Sequence, residues 1–84
     1  MSWKSQWSKT AIKRLKKFPK QDQKRILKKT KEVEEEPFRY LSRLSGEPYY
    51  RFRVGDYRVI VNLVNQQMLI QIVKVKNRKN AYKK

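Results

Sequence analysis

The run YYRFRVGDYRVIV, residues 49–61, decides how this chain folds. Apolar and charged residues alternate along it, interrupted by Gly55-Asp56. Successive side chains of a strand point to opposite faces. Tyr50, Phe52 and Val54 therefore share one face, and Arg51 and Arg53 the other. After the break, Val59, Val61 and Leu63 oppose Arg58, Ile60 and Asn62. A two-residue Gly-Asp turn suits a tight hairpin, so the run predicts two antiparallel strands, Tyr49–Val54 and Tyr57–Asn65. Their apolar face is expected to lie on a core. Their arginine-bearing face is expected to look outward.

Working outward from this hairpin, Asn65-Gln66-Gln67 reads as a second turn and Met68–Lys76 as the last strand. Upstream, Phe38–Pro48 reads as a connector, anchored by Leu41 and Leu44 and turned at Ser45-Gly46. Before it, Gln21–Glu35 has a helical stripe of Gln23, Ile26, Leu27, Thr30 and Val33, stopped by Pro37. A first helix follows Ser8, its expected N-cap, and carries Ala11, Ile12, Leu15 and Phe18 on one stripe. Pro19, which has no N–H to donate, closes it. The alternation Trp3-Lys4-Ser5-Gln6-Trp7 predicts a short first strand with both tryptophans inward. The expected fold class is α+β in the order β-α-α-β-β-β, one domain over residues 1–84, with a helical hairpin packed on a largely antiparallel four-stranded sheet.

Composition narrows the function. The 84 residues include 23 Lys+Arg against 7 Asp+Glu, a formal net charge of +16, with no cysteine and no histidine. Zinc sites of the Cys/His type, Ser-His-Asp triads and histidine-dependent ribonuclease chemistry are all excluded. No metal or cofactor is expected. The chain shows neither a transmembrane-length apolar run nor an apolar signal segment, so a soluble, cytoplasmic protein without membrane contact is expected. Such a positive excess points to a polyanionic partner, because displacing condensed counterions drives binding to phosphate backbones. Thermophile surfaces are also lysine-rich, but they balance lysine with glutamate. Here four of the seven acids are Glu32, Glu34, Glu35 and Glu36, whereas the stretch from Lys74 onward has six cations and no acid.

Arg51, Arg53 and Arg58 on neighbouring strands repel one another unless an anion sits among them. The alternative is a solvated sheet face whose arginine stems cover apolar neighbours. The segment NRKNAY, residues 77–82, favours the anion. A guanidinium forks onto phosphate and a tyrosine ring offers a stacking face. Arg78 and Tyr82 together therefore suit single-stranded RNA, whose unstacked bases are what proteins read.

On these residues the chain resembles the RelE/ParE toxin superfamily, and within it the RelE-type mRNA interferases. The resemblance rests on YYRFRVGDYRVIV (49–61), IVKVKNRKNAY (72–82) and WKSQWSKTAIKRLKKFPKQDQKRILKK (3–29). Its most specific part couples the Gly-Asp-Tyr-Arg-Val turn and strand to an Arg-x-x-x-Tyr ending. It implies a toxin of a type II toxin–antitoxin system that contacts rRNA in the ribosomal A site and cleaves mRNA there. The RNA's own 2′-hydroxyl attacks, without metal, and a cognate antitoxin inhibits the enzyme. By motif position, Arg58 and Arg78 are implied as catalytic, Arg51 and Arg53 fall near a paired basic position, and Tyr82 stacks on a base. Lys76 and Lys79 are the accompanying RNA-binding residues. Well-known bacterial members carry lysines at the Arg51/Arg53 pair. Arginine, with a pKa above about 12, is no general base at neutral pH. Arg51, Arg53 and Arg58 are accordingly expected to stabilise charge on the phosphorane, and the base stays unassigned. Tyr57 is expected in the core, opposite Arg58. Asp22 stands where such helices often begin with an apolar residue, a departure that concerns packing.

Two other classes remain compatible with the sequence. One is a non-catalytic basic RNA- or ribosome-binding protein of the same fold. The other is a ParE-type toxin directed at DNA gyrase, a branch that often lacks the catalytic set.

Overall fold

The structure, a computed structural model, describes residues 2–77. Its elements are β1 (Lys4–Trp7), α1 (Lys9–Lys16), α2 (Lys20–Glu35), α3 (Pro37–Tyr40), β2 (Ser42–Arg43), β3 (Tyr50–Val54), β4 (Tyr57–Val64) and β5 (Leu69–Asn77), with a 3₁₀ turn over Asn65–Gln67. The sheet has five strands in the order β1-β5-β4-β3-β2. β1 runs parallel to β5 and all other neighbours are antiparallel. The α+β class and the element order agree with the expectation. The strand count is one higher, because the connector holds both α3 and the two-residue β2.

The helix ends follow local chemistry. The Ser8 hydroxyl accepts from Ala11 N–H at 3.1 Å, satisfying a donor that the first turn leaves orphaned. Between the two main helices, the Gln23 amide donates to the Phe18 carbonyl at 2.8 Å, just beyond the C-terminal end of α1. Pro37 sits at the start of α3, where its missing N–H costs nothing. At the β3–β4 turn only Gly55 has positive φ, +58°, the pattern of a II′ hairpin.

The core lies between the helices and one sheet face. Ile26, Val33, Val59, Val61, Ile70 and Ile72 are fully buried, each worth about 1.5–3 kcal/mol of transfer free energy. Trp3 and Trp7 pack against this cluster partly buried, as the alternation of the first strand predicts. Two expected core residues do not reach it: Leu27 is 44% exposed and Ile12 38% exposed. Each stands at the margin of its apolar stripe, and these helices cover the sheet with a face narrower than the stripe.

One irregularity shapes the outer face. Ile60 pairs with Lys74 but Val61 pairs with Ile72, so Val73 has no partner on β4. This bulge keeps Ile72 and Val75 both in the core. Ser8 closes the break from behind: its N–H donates to the Ile72 carbonyl at 2.9 Å and its hydroxyl to the Val73 carbonyl at 3.0 Å.

Candidate functional site

Hairpin register builds the site. Arg53 lies directly opposite Arg58, and Arg58 directly opposite Lys76. Directly opposed residues share a face, with Cβ atoms roughly 4.5–5.5 Å apart. Three cations thus form one row across β3, β4 and β5 on the face away from the helices. In the next row Arg51 opposes Ile60, which opposes Lys74. None of these cations pairs with an acid among the described residues; the ion pairs there join Arg25 to Asp22, Lys29 to Glu32 and Arg39 to Glu36. Like charges directly opposite cost stability. A row of cations with no acid paired to it among the described residues can take an external anion.

Of the arginines singled out in the sequence, the three described ones share the outer face but line two different cavities. Arg58 lines a hollow of about 410 Å³ with Lys74 and Lys76, on a floor of Ile60 and Val73. Leu44, Ser45, Glu47 and Tyr49 close the other side, on the loop between β2 and β3. A hydrogen bond from Leu44 N–H to the Tyr49 carbonyl, 2.9 Å, holds that loop in place. Arg51 and Arg53 line a separate groove of about 480 Å³ with Lys29, Arg39 and Tyr40. It runs along the edge of β3, which β2 covers only at Tyr50 and Arg51. Arg78, Lys79 and Tyr82 lie outside the described residues. The register does bring Asn77 opposite Tyr57, so β5 ends beside the start of β4, as the hairpin order predicts.

Tyr57 faces the helices. Its ring packs on Phe18 at 4.5 Å between centroids, and its hydroxyl donates to Asp22 at 2.6 Å. Burial, then the hydrogen bond and charge of Asp22, push its pKa up to about 12. A phenol so held is no proton acceptor for chemistry on the opposite face. Asp22 is thereby explained as well: a polar residue at the start of α2 receives the one hydroxyl that strand β4 sends into the core.

Sequence reasoning missed the 44–49 loop, which reads as a spacer although it contributes an aromatic ring and a carboxylate to the hollow. It also missed the purpose of Glu34, whose carboxylate accepts from both Ser5 N–H at 3.2 Å and Ser5 hydroxyl at 2.6 Å. Glutamate at a helix C-terminus is unfavourable for the macrodipole, and these bonds to β1 compensate it. Among the described residues no cluster of His, Cys, Asp and Glu could hold a metal. No helix there is long and apolar enough to cross a membrane.

Comparison with known proteins follows the same outline. The family described as the ParE toxin of the type II toxin–antitoxin system, parDE, matches residues 6–82. No curated protein matches the chain. Among solved structures, the archaeal RelE–RelB complex from Pyrococcus horikoshii OT3 is 32% identical, with 93% of this chain and 97% of that chain covered and a TM-score of 0.79. The RelB–RelE antitoxin–toxin complex from Methanococcus jannaschii is 28% identical over 92% of this chain and 94% of that one, at a TM-score of 0.71. The RelBE2 toxin–antitoxin complex from Mycobacterium tuberculosis has a TM-score of 0.87 at 21% identity, covering 93% of this chain and all of that one, a likeness of fold. With a family match over nearly its whole length and a RelE relative sharing almost a third of its residues, the chain belongs to the ParE toxin family of type II toxin–antitoxin systems, within the RelE/ParE superfamily.

Proposed function

We propose that this toxin is an endoribonuclease that cuts mRNA on the ribosome, acts in the cytoplasm and is held inactive by a cognate antitoxin. The observation that carries the reading is the uncompensated row Arg53–Arg58–Lys76 on the open sheet face. In the reaction the 2′-oxygen of one nucleotide bonds to the adjacent phosphorus and the bond to the 5′-oxygen breaks. The products are a 2′,3′-cyclic phosphate and a 5′-hydroxyl. The 2′-hydroxyl loses one proton and the leaving oxygen gains one. Arg58 and Arg53 neutralise charge growing on the phosphorane, a contribution commonly worth 10²–10³ in rate for one well-placed donor. Arg51 joins them from the neighbouring row, Arg78 acts near the leaving group, Tyr82 stacks on a base, and Lys76 and Lys79 hold the backbone. None of the arginines takes the 2′ proton.

A net charge of +16 supports both the ribosomal target and an antitoxin with an acidic or amphipathic segment. The solved archaeal relatives are RelE chains bound to RelB, which supports an antitoxin of that kind here. A second reading, a toxin directed at DNA gyrase, draws on the ParE description of the matching family.

The test is a purified translation system with mapped mRNA ends. Wild-type protein is expected to cut the message only when it is being translated, leaving cyclic-phosphate ends. Arg58→Ala is expected to reduce cutting at least about 100-fold. Intact mRNA with the wild-type protein sinks the reading, and DNA cleavage complexes in a gyrase assay select the second one.

A further inference from the structure

The hollow beside Arg58 is more than a cationic surface. Ile60 belongs to the outward set of β4, where period two predicts exposure, yet it is only 7% exposed. The bulge brings Val73 to the same floor, and Leu44 meets it from the loop. Arg58, Lys74 and Lys76 line it from the sheet, and Glu47 lines it from the loop. Among the described residues Glu47 is the sole carboxylate lining this hollow, is exposed, and makes no ion pair with those cations. A site for phosphate alone is served by cations, and a carboxylate there works against it. An apolar floor, a half-buried tyrosine (Tyr49), a set of cations and one carboxylate are instead the parts that hold one whole nucleotide: base face, phosphate and base edge.

We infer that this hollow is a nucleobase pocket in which Glu47 selects guanine. An ionised carboxylate only accepts hydrogen bonds, through two oxygens. Guanine offers N1–H and N2–H side by side on its Watson–Crick edge, a matching pair. Adenine and cytosine offer one amino group each, beside a ring acceptor that faces the carboxylate. Uracil offers N3–H between two carbonyls, which the carboxylate repels. A good bidentate contact of this kind discriminates by about tenfold or more, and bases splayed from single-stranded RNA present that edge. Phosphate held by Arg58 and Lys76 fixes the position of the nucleotide without reading it.

This assignment rests on the RNA-cutting reading but is tested by binding alone. The probes are two fluorescent RNA hexamers, all-uridine and the same with one central guanine, titrated into the whole protein at low and moderate salt. The guanine hexamer is expected to bind about tenfold more tightly. Glu47→Gln, which replaces one acceptor by a donor, is expected to remove most of that difference and leave the all-uridine affinity within about twofold. Arg58→Gln is expected to weaken both hexamers alike. Equal affinities in the wild type, or a preference that Glu47→Gln leaves intact, overturn the pocket even if mRNA is cut on ribosomes. A guanine preference abolished by Glu47→Gln, in a protein that leaves translated mRNA whole, keeps the pocket and removes the nuclease.

Discussion

Ser8 and Val73, 65 positions apart, are joined by a 3.0 Å hydrogen bond from the serine hydroxyl to the valine carbonyl. The same oxygen accepts from Ala11 N–H. One hydroxyl thus starts α1 and secures the strand that carries Lys74 and Lys76. A helix cap is worth about 1 kcal/mol, and the bulged carbonyl loses its donor with it.

Ser8→Ala is therefore expected to cost about 1–2 kcal/mol, read as a lower urea midpoint at unchanged slope. The loosened bulge is also expected to weaken RNA binding at the hollow. Ser8→Thr keeps the hydroxyl and is expected to restore most of both. A Ser8→Ala protein as stable as the wild type contradicts this account.

The second prediction concerns pH. Tyr57 has a folded pKa pushed up from the ordinary phenol value of about 10 to about 12. Between those values the unfolded chain has lost the proton and the folded one keeps it, so stability falls as pH rises through that window. Below pH about 10 this loss is absent, and across the whole window it amounts to about 2–3 kcal/mol. Tyr57→Phe is expected to flatten this part of the stability profile while costing about 1 kcal/mol at neutral pH. Denaturant unfolding at stepped pH measures both, and an unchanged alkaline slope in the variant refutes it.

A third prediction separates stability from activity. Arg58 stands between Arg53 and Lys76, so Arg58→Gln removes two direct like-charge oppositions. It is expected to leave stability unchanged or raise it by up to about 1 kcal/mol at low salt, while cutting is lost. Added polyphosphate is expected to raise the melting temperature of the wild type more than that of the variant. A clearly destabilised Arg58→Gln protein shows that the arginine stem holds the sheet instead.

The hairpins are legible in the sequence because period two and Gly55-Asp56 leave one consistent register. The Ser8 cap and the Ile26–Thr30–Val33 stripe are legible for the same reason: each rests on contacts within one element. What escapes are the relations between elements. No residue type marks Val73 as a bulge, since its cause is Ser8 reaching across from another element. Glu34 is out of place within its own helix and in place only when β1 is beside it. Leu27 satisfies the helical stripe yet finds no sheet to cover it. For the site, the Arg53–Arg58 opposition follows from the hairpin turn and period two, whereas Lys76 joins the row only through the Val73 bulge, and the hollow depends on a loop whose path local sequence does not dictate.

The parallel pairing of Lys4–Trp7 with Leu69–Ile72 has a consequence in time. In a chain made from its N-terminus, the first strand has no partner until the last has been synthesised. Both main helices can form earlier, since their hydrogen bonds are local, and Glu34 and Phe38 can meet Ser5 and Trp3, but the strand pairing of β1 must wait. Closure over so long a separation in sequence is the slow kind. The cationic row is completed only when Lys76 emerges, so every shorter nascent chain lacks the assembled site. Order of synthesis thereby makes the cationic row one of the last features of the sheet to assemble.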